Sequence, residues 1–140
     1  MIFILMEVGI ILKGEFISSS KNISYRIFCI GEITKLDKNR HEIKVFKAYE
    51  DALYKIENYQ ELRILYFMDK LEKNGRSILQ VHPRNNKENP LRGVFSTHSP
   101  VRPNPIGVTE VELIERNANI LIVKGLDALD NSPLIDIKSK

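Results

Sequence analysis

Three prolines, Pro100, Pro103 and Pro105, fall within the run Gly93-Val94-Phe95-Ser96-Thr97-His98-Ser99-Pro100-Val101-Arg102-Pro103-Asn104-Pro105-Ile106-Gly107. Each proline locks its own φ and pushes the residue before it into extended geometry, so the backbone here is nearly frozen. The same stretch carries Ser96, Thr97, His98, Ser99, Arg102 and Asn104. Hydrogen-bonding groups on a scaffold that loses little entropy on binding suit a pre-organised ligand wall. Two plainer readings stand beside it. Pro100-Val101-Arg102-Pro103 matches the P-x-x-P pattern of polyproline ligands, although the flanking Val94-Phe95 and Ile106-Gly107-Val108 are apolar, unlike a disordered linker. A rigid surface connection with no ligand also satisfies the pattern.

Elsewhere the chain reads mostly as strand. His41 to Phe46 alternates, Leu62 to Met68 is a buried-strand run, and Ser77 to His82 alternates. Val108 to Glu115 and Ile120 to Lys124 flank Arg116-Asn117-Ala118-Asn119 as a hairpin. Lys47 to Asn58 carries Tyr49, Ala52, Leu53 and Ile56 at helical spacing, which predicts one amphipathic helix plugging an end or side of a sheet. Val81 to Arg92 is polar and bounded by prolines, and predicts a mobile loop whose cations are solvated or touch RNA.

With 140 residues and 43% hydrophobic content, the chain suits one domain with one core. The single cysteine, Cys29, forms no internal disulfide, and Met1 to Met6 is apolar but too short to cross a bilayer. A soluble, cytoplasmic protein with no membrane association is the expectation. Lys and Arg number 21 against 18 Asp and Glu, a net charge of +3 that permits an RNA partner without demanding one.

Several common sites are excluded. The seven glycines never fall in G-x-G spacing, so a Rossmann-type nucleotide turn is absent. His41, His82 and His98 are isolated, the lone cysteine lacks a partner, and Asp127, Asp130 and Asp136 lack the register of a calcium loop. No metal is expected. The three aspartates read more simply as turn residues that meet backbone amides.

The proline-rich run resembles the signature of the TrmO family, also called TsaA-like or YaeB-like, in which G-V-F-A-T-R-S-P continues into R-P-N-P-I-G. A second block, Gly125-Leu126-Asp127-Ala128-Leu129-Asp130-Asn131-Ser132-Pro133-Leu134-Ile135-Asp136-Ile137-Lys138, resembles the family's G-L-D-x-x-D-G-T-P-V-x-D-I-K. A third runs from Val45-Phe46 through Tyr49, Leu53 and Ile56-Glu57 to Leu65-Tyr66-Phe67-Met68-Asp69-Lys70. The blocks stand in the family's order and cover about residues 30 to 138. The resemblance implies a mainly β fold, a small β-barrel with the one helix at about residues 47–58. Residues 1–28 would be an N-terminal extension and residues 29–140 the barrel domain.

The resemblance also implies an S-adenosylmethionine-dependent methyltransferase acting on N6 of threonylcarbamoyl-adenosine beside a tRNA anticodon, working as a homodimer. Cofactor contacts fall on Asp69, Lys70, Thr97, His98, Ser99, Val108, Lys124, Gly125, Leu126 and Asp127. Arg102 and Asn104 fall to substrate phosphate or the partner subunit, while Arg102 tying its own loop to an acid such as Asp136 is the structural alternative. No general base is named, since the activated methyl group is on the cofactor. Methylation of another RNA base or a small molecule, and a non-catalytic cofactor- or RNA-binding barrel, are the other readings. The chain departs from the family in three places. His98 replaces arginine, Asn131 replaces the glycine after Asp130, and no P-R-Q triplet follows either Val8-Gly9-Ile10-Ile11 or Ile30-Gly31-Glu32-Ile33. Ile30-Gly31, paired by a short hairpin to Glu42–Phe46, is taken as the first strand.

Overall fold

The computed structural model describes residues 23–70 and 74–140. Its strands are β1 (Gly31–Lys35), β2 (Arg40–Val45), β3 (Glu61–Phe67), β4 (Gln80–Val81), β5 (Arg92–Gly93), β6 (Ile106–Asn117), β7 (Ile120–Lys124) and β8 (Pro133–Ser139). Six of them close an antiparallel barrel in the order β1-β2-β7-β6-β3-β8, with β8 pairing back onto β1; β4 and β5 form a separate two-stranded ribbon. Closure removes the unpaired edges that an open sheet would expose.

Alternation fills the interior. Ile33, Ile43, Leu62, Ile64, Leu121, Val123 and Leu134 are fully buried, and their neighbours along each strand face outward. The apolar run Ile120-Leu121-Ile122-Val123 divides in the same way, with Leu121 and Val123 inside and Ile120 and Ile122 half-buried outside. The first strand starts at Gly31, which pairs with Val45. A side chain at Gly31 would run into the Lys44 carbonyl. The expected strands at 41–46, 62–68 and 120–124 match β2, β3 and β7, and the expected hairpin closes through Ala118, whose φ is 52°. Asn119 is buried there and donates from Nδ2 to the Val45 carbonyl at 2.6 Å.

Two expectations are modified. The segment 47–58 is helical, but as two 3-10 pieces, Lys47–Leu53 and Ile56–Asn58, broken where Lys55 takes φ 63°. The break leaves the Leu53 carbonyl to the Arg116 guanidinium, whose Nη1 donates to it at 2.9 Å and to Glu57 at 2.6 Å. Leu53 still enters the core, with Tyr49 and Ile56 packed against it. Ser77 to His82 does not form one strand. Gly75–Ser77 is a 3-10 turn and only Gln80–Val81 pairs, because Pro83 stops the strand and His82 turns to bond the Asn89 carbonyl from Nδ1 at 2.8 Å. The expected loop 81–92 is therefore the tip of a ribbon, braced by Asn89 Nδ2 on the Pro83 carbonyl at 2.8 Å. The expected extension at 1–28 lies largely outside the described residues; from Ile23 to Ile30 the chain has no regular structure, and Ile30 bonds Leu134 and Phe46 through its backbone.

Strand directions decide where the loops go. β1, β3 and β7 run one way and β2, β6 and β8 the other. The β1–β2 turn, the β7–β8 loop and the long β3–β6 connection consequently all emerge at one rim. The two 3-10 pieces between β2 and β3 and the β6–β7 hairpin occupy the other.

Candidate cofactor site at one rim of the barrel

The rim is built from three segments that hold one another. Gly125 N donates to the Asn39 carbonyl at 3.0 Å, joining the β7–β8 loop to the β1–β2 turn. Lys70 Nζ donates to the Asp130 carbonyl at 3.0 Å, joining the end of β3 to the same loop. Met68 N donates to the Pro105 carbonyl at 2.8 Å, and Arg76 Nη1 to the Pro103 carbonyl at 3.3 Å, so the proline-rich run is tied to the chain that leaves β3.

The β7–β8 loop is fixed from beneath by two side chains of the barrel interior. His41, 3% exposed, bonds the Ala128 carbonyl through Nε2 at 3.2 Å. A carbonyl only accepts, so Nε2 carries the proton, and Nδ1 remains a buried acceptor with no partner among the described residues. Tyr66 donates its hydroxyl proton to the adjacent carbonyl, that of Asp127. Its single proton being used there, the Thr109 hydroxyl donates to the phenol oxygen at 3.2 Å. Burial raises the Tyr66 pKa above its usual value, and the Asp127 carboxylate adds to this despite the opposing Thr109 bond, so the phenol stays a neutral donor. Leu126 is buried in the core, while Asp127 presents an exposed side chain with no hydrogen-bond partner among the described residues. Asp130 Oδ1 accepts from Lys35 N at 2.8 Å, and Asn131 takes φ 63°, the conformation for which the family glycine is suited.

The proline-rich run folds on itself. Thr97 Oγ1 donates to the Val94 carbonyl at 2.9 Å and accepts from Ser99 N at 3.2 Å. Arg102 Nη1 donates to the carbonyls of Thr97 at 3.1 Å and Ser99 at 3.2 Å. Arg102 thus ties the loop through backbone oxygens and makes no bond to Asp136, whose Oδ1 accepts from Ile137 N at 2.9 Å.

Of the residues singled out from sequence, Asp69, Lys70, Lys124, Gly125, Leu126 and Asp127 lie on the rim segments joined by these bonds. Thr97, His98, Ser99, Arg102 and Asn104 lie on the β3–β6 connection that emerges at the same rim; His98 and Asn104 are exposed. Val108 stands apart on the outer wall of β6, 44% exposed, between the inward-facing Gly107 and Thr109. Among the described residues no cluster of His, Cys, Asp and Glu could hold a metal ion. Neither His41, an isolated histidine in the sequence, nor Tyr66, part of a motif block, is given a role at the site by sequence alone. Both occupy the apolar phase of a strand, and a polar group in that phase needs a buried partner, which was the available signal.

The fold and rim define a small closed antiparallel barrel that gathers its binding loops at one end. The family model of the tRNA-methyltransferase O N-terminal domain matches residues 32–139, and the chain belongs to that family. An Archaeoglobus fulgidus protein called "S-adenosyl-L-methionine-binding protein" is 52% identical over 97 residues, covering 69% of this chain and 66% of the relative. A Methanothermobacter thermautotrophicus protein called "Probable S-adenosyl-L-methionine-binding protein" is 44% identical over 104 residues, covering 74% and 72%. A crystal structure of TrmO from Pseudomonas aeruginosa superimposes with TM-score 0.63 at 23% identity, over 84% of this chain and 56% of that one, and so shares the fold. The chain spans only part of the length of several such relatives, down to 27% of a second Archaeoglobus fulgidus protein.

Proposed function

We propose that the rim binds S-adenosylmethionine and that the chain transfers its methyl group to N6 of threonylcarbamoyl-adenosine beside a tRNA anticodon, in the cytoplasm. The observation that carries this reading is the family match over residues 32–139 together with the rim that joins Lys70 to the Gly125–Asn131 loop. The donor set suits the cofactor. Asp69 and Asp127 are exposed carboxylates able to accept from ribose hydroxyls or an ammonium group, and the Gly125-Leu126 backbone, apart from the Gly125 N–H held by Asn39, would read an adenine edge.

S-adenosylmethionine supplies a methyl group already activated on a sulfonium. The tasks left to this chain are binding, aiming the acceptor nitrogen in line and excluding water. Lys70, His41 and Tyr66 fix the loop that carries Asp127, while the proline-rich run supplies a wall of little residual freedom. The half-buried outer residues Ile120 and Ile122 and the exposed Val108 support a two-fold partner against the barrel wall. Light scattering in the presence of cofactor that finds only monomers at micromolar concentration overturns the dimer.

Calorimetric titration with S-adenosylhomocysteine, followed by mass spectrometry of tRNA nucleosides from cells lacking the gene, tests the whole reading. Binding and the loss of one methylated nucleoside are the expected results. A specific observation favours a second reading, a barrel that binds the cofactor for another acceptor: the archaeal relatives' names speak only of binding S-adenosylmethionine, and this chain lacks the P-R-Q triplet. Binding with an unchanged nucleoside profile selects it.

A further inference from the structure

The described residues include eight arginines. Arg40, Arg63, Arg76, Arg102 and Arg116 bond protein acceptors, and Arg26 has an interaction of its own. The two left, Arg84 and Arg92, line the same hollow of about 280 Å³ with Pro83, Asn89 and Pro90, and among the described residues no acid lines it. The hollow is shaped without them. Pro83 and Pro90 stiffen its walls, the His82–Asn89 and Asn89–Pro83 bonds brace it, and Arg84 and Asn85 take φ 58° and 53°. Both guanidinium groups are thereby presented on a built loop and left unspent.

Charge is concentrated in the same segment. Residues 74–104 hold five of the 21 Lys and Arg and one, Glu88, of the 18 Asp and Glu; elsewhere sixteen cations face seventeen acids. The chain's net positive charge therefore resides on the ribbon and the run that follows it. Immediately after the ribbon stands Phe95, 80% exposed, and beside Arg92 stands Leu91, 53% exposed. Val94 N bonds the Leu79 carbonyl at 2.9 Å, so the backbone next to Phe95 is tied to the start of the ribbon.

We infer that the β4–β5 ribbon is an RNA-docking arm: Arg84 and Arg92 grip backbone phosphates in the hollow, and Phe95 stacks on an unpaired base. A guanidinium fork matches phosphate oxygens, and a flat exposed aromatic flanked by cations is the arrangement that captures single-stranded bases. An acidic protein segment would satisfy the two arginines but gives Phe95 no flat face to meet. The inference rests on the tRNA reading above and assigns it a surface, one that leads through Gly93-Val94 into the rim.

The test measures binding of bulk tRNA to the full chain by fluorescence anisotropy at several salt concentrations. Arg84→Gln/Arg92→Gln is expected to weaken binding about tenfold or more and to reduce the salt slope by about two counterions. Phe95→Ser is expected to weaken it about tenfold with the slope unchanged. Lys38→Gln, on the β1–β2 turn, controls for diffuse charge, and a retained S-adenosylhomocysteine thermal shift confirms that each variant is folded. Wild-type affinity and slope in the double arginine variant, or an equal loss in Lys38→Gln, overturns the inference alone. Polyglutamate displacing tRNA with the same arginine dependence, and indifference to Phe95→Ser, would assign the arm to an acidic protein instead. A wild type that binds S-adenosylhomocysteine but no tRNA at any salt removes both the arm and the tRNA substrate, and leaves the cofactor site standing.

Discussion

The ring of Tyr66 occupies the space in which a side chain at Gly107 would stand. A Cβ on Gly107 would lie 2.5 Å from Cε2 and Cζ of that ring and 2.9 Å from its hydroxyl. The two residues are paired across β3 and β6, and the hydroxyl so placed reaches the Asp127 carbonyl. Gly107, inside the proline-rich run, thus acts on the β7–β8 loop through one aromatic ring. Gly107→Ala is expected to destabilise the fold by about 1–3 kcal/mol, the usual cost of overpacking a buried site. Tyr66→Leu, which removes the ring, is expected to make Gly107→Ala markedly less costly, and a double-mutant cycle by denaturant titration checks it. Additive effects would mean that the ring and the glycine are not coupled.

His41 gives a different signature. Replacing it with leucine removes the donor to the Ala128 carbonyl, which costs stability, but also removes the buried Nδ1 that has no partner, which restores some. The opposing effects leave His41→Leu within about 1 kcal/mol of wild type in stability. Affinity for S-adenosylhomocysteine should fall nonetheless, because the loop carrying Asp127 loses one of its two internal supports. Calorimetry separates the two quantities. Unchanged affinity would show that Tyr66 and Lys70 suffice to hold the loop.

The barrel was legible where chemistry is periodic. Alternation at His41 to Val45 reports which side faces the core, and the apolar run from Leu62 marks a buried strand, which is the information a closed sheet needs. Of the four residues at helical spacing, Tyr49, Leu53 and Ile56 do meet the core but Ala52 is exposed, because the segment winds as 3-10 pieces broken at Lys55, where Arg116 reaches across from β6 to the Leu53 carbonyl. The short extent of β4 was hidden for a related reason. Ser77 to His82 alternates as a strand should, yet among the described residues it pairs only with the two residues Arg92–Gly93. At the rim, the motif blocks marked the loops, whereas the contacts that hold them run between residues far apart in the chain: His41 to Ala128, Tyr66 to Asp127, Lys70 to Asp130. No local pattern encodes those pairings.

Arg102 can be dissected by two substitutions. Its Nη1 bridges the carbonyls of Thr97 and Ser99, and its other guanidinium nitrogens have no protein partner among the described residues. Arg102→Ala should lower the melting temperature by a few degrees, as expected for about 1 kcal/mol in a domain of this size, and should flatten the salt dependence of tRNA binding by about one counterion. Arg102→Lys keeps the charge but loses the planar fork. It should recover the salt slope and leave the melting temperature low. Recovery of both by lysine would show that charge alone matters at this position.

The β1–β2 turn carries an acid-sensitive support for the rim. Asp37 Oδ1 accepts from Asn39 N and Arg40 N, both at 2.9 Å, and Oδ2 from Arg40 Nε at 2.7 Å. The backbone bond from Asn39 contributes most, followed by the Arg40 side chain, and together with the Arg40 amide they lower the Asp37 pKa from 3.8 to about 2. A carboxyl whose pKa is depressed in the folded state stabilises that state above its unfolded pKa, and the contribution disappears as pH falls through the folded value. Asp37→Asn has one uncharged oxygen, and with that oxygen kept for the two amides it turns an NH2 group toward Arg40. The stability difference between wild type and Asp37→Asn should therefore be constant from neutral pH down to about 4 and shrink between about 4 and 2. Urea titrations at pH 7, 4 and 2.5 measure it, and a difference that persists undiminished at the lowest pH overturns the assignment. Since the Asn39 carbonyl in this turn accepts the Gly125 amide at 3.0 Å, Asp37→Asn should also weaken S-adenosylhomocysteine binding at neutral pH by a small factor, well below that of Asp127→Ala.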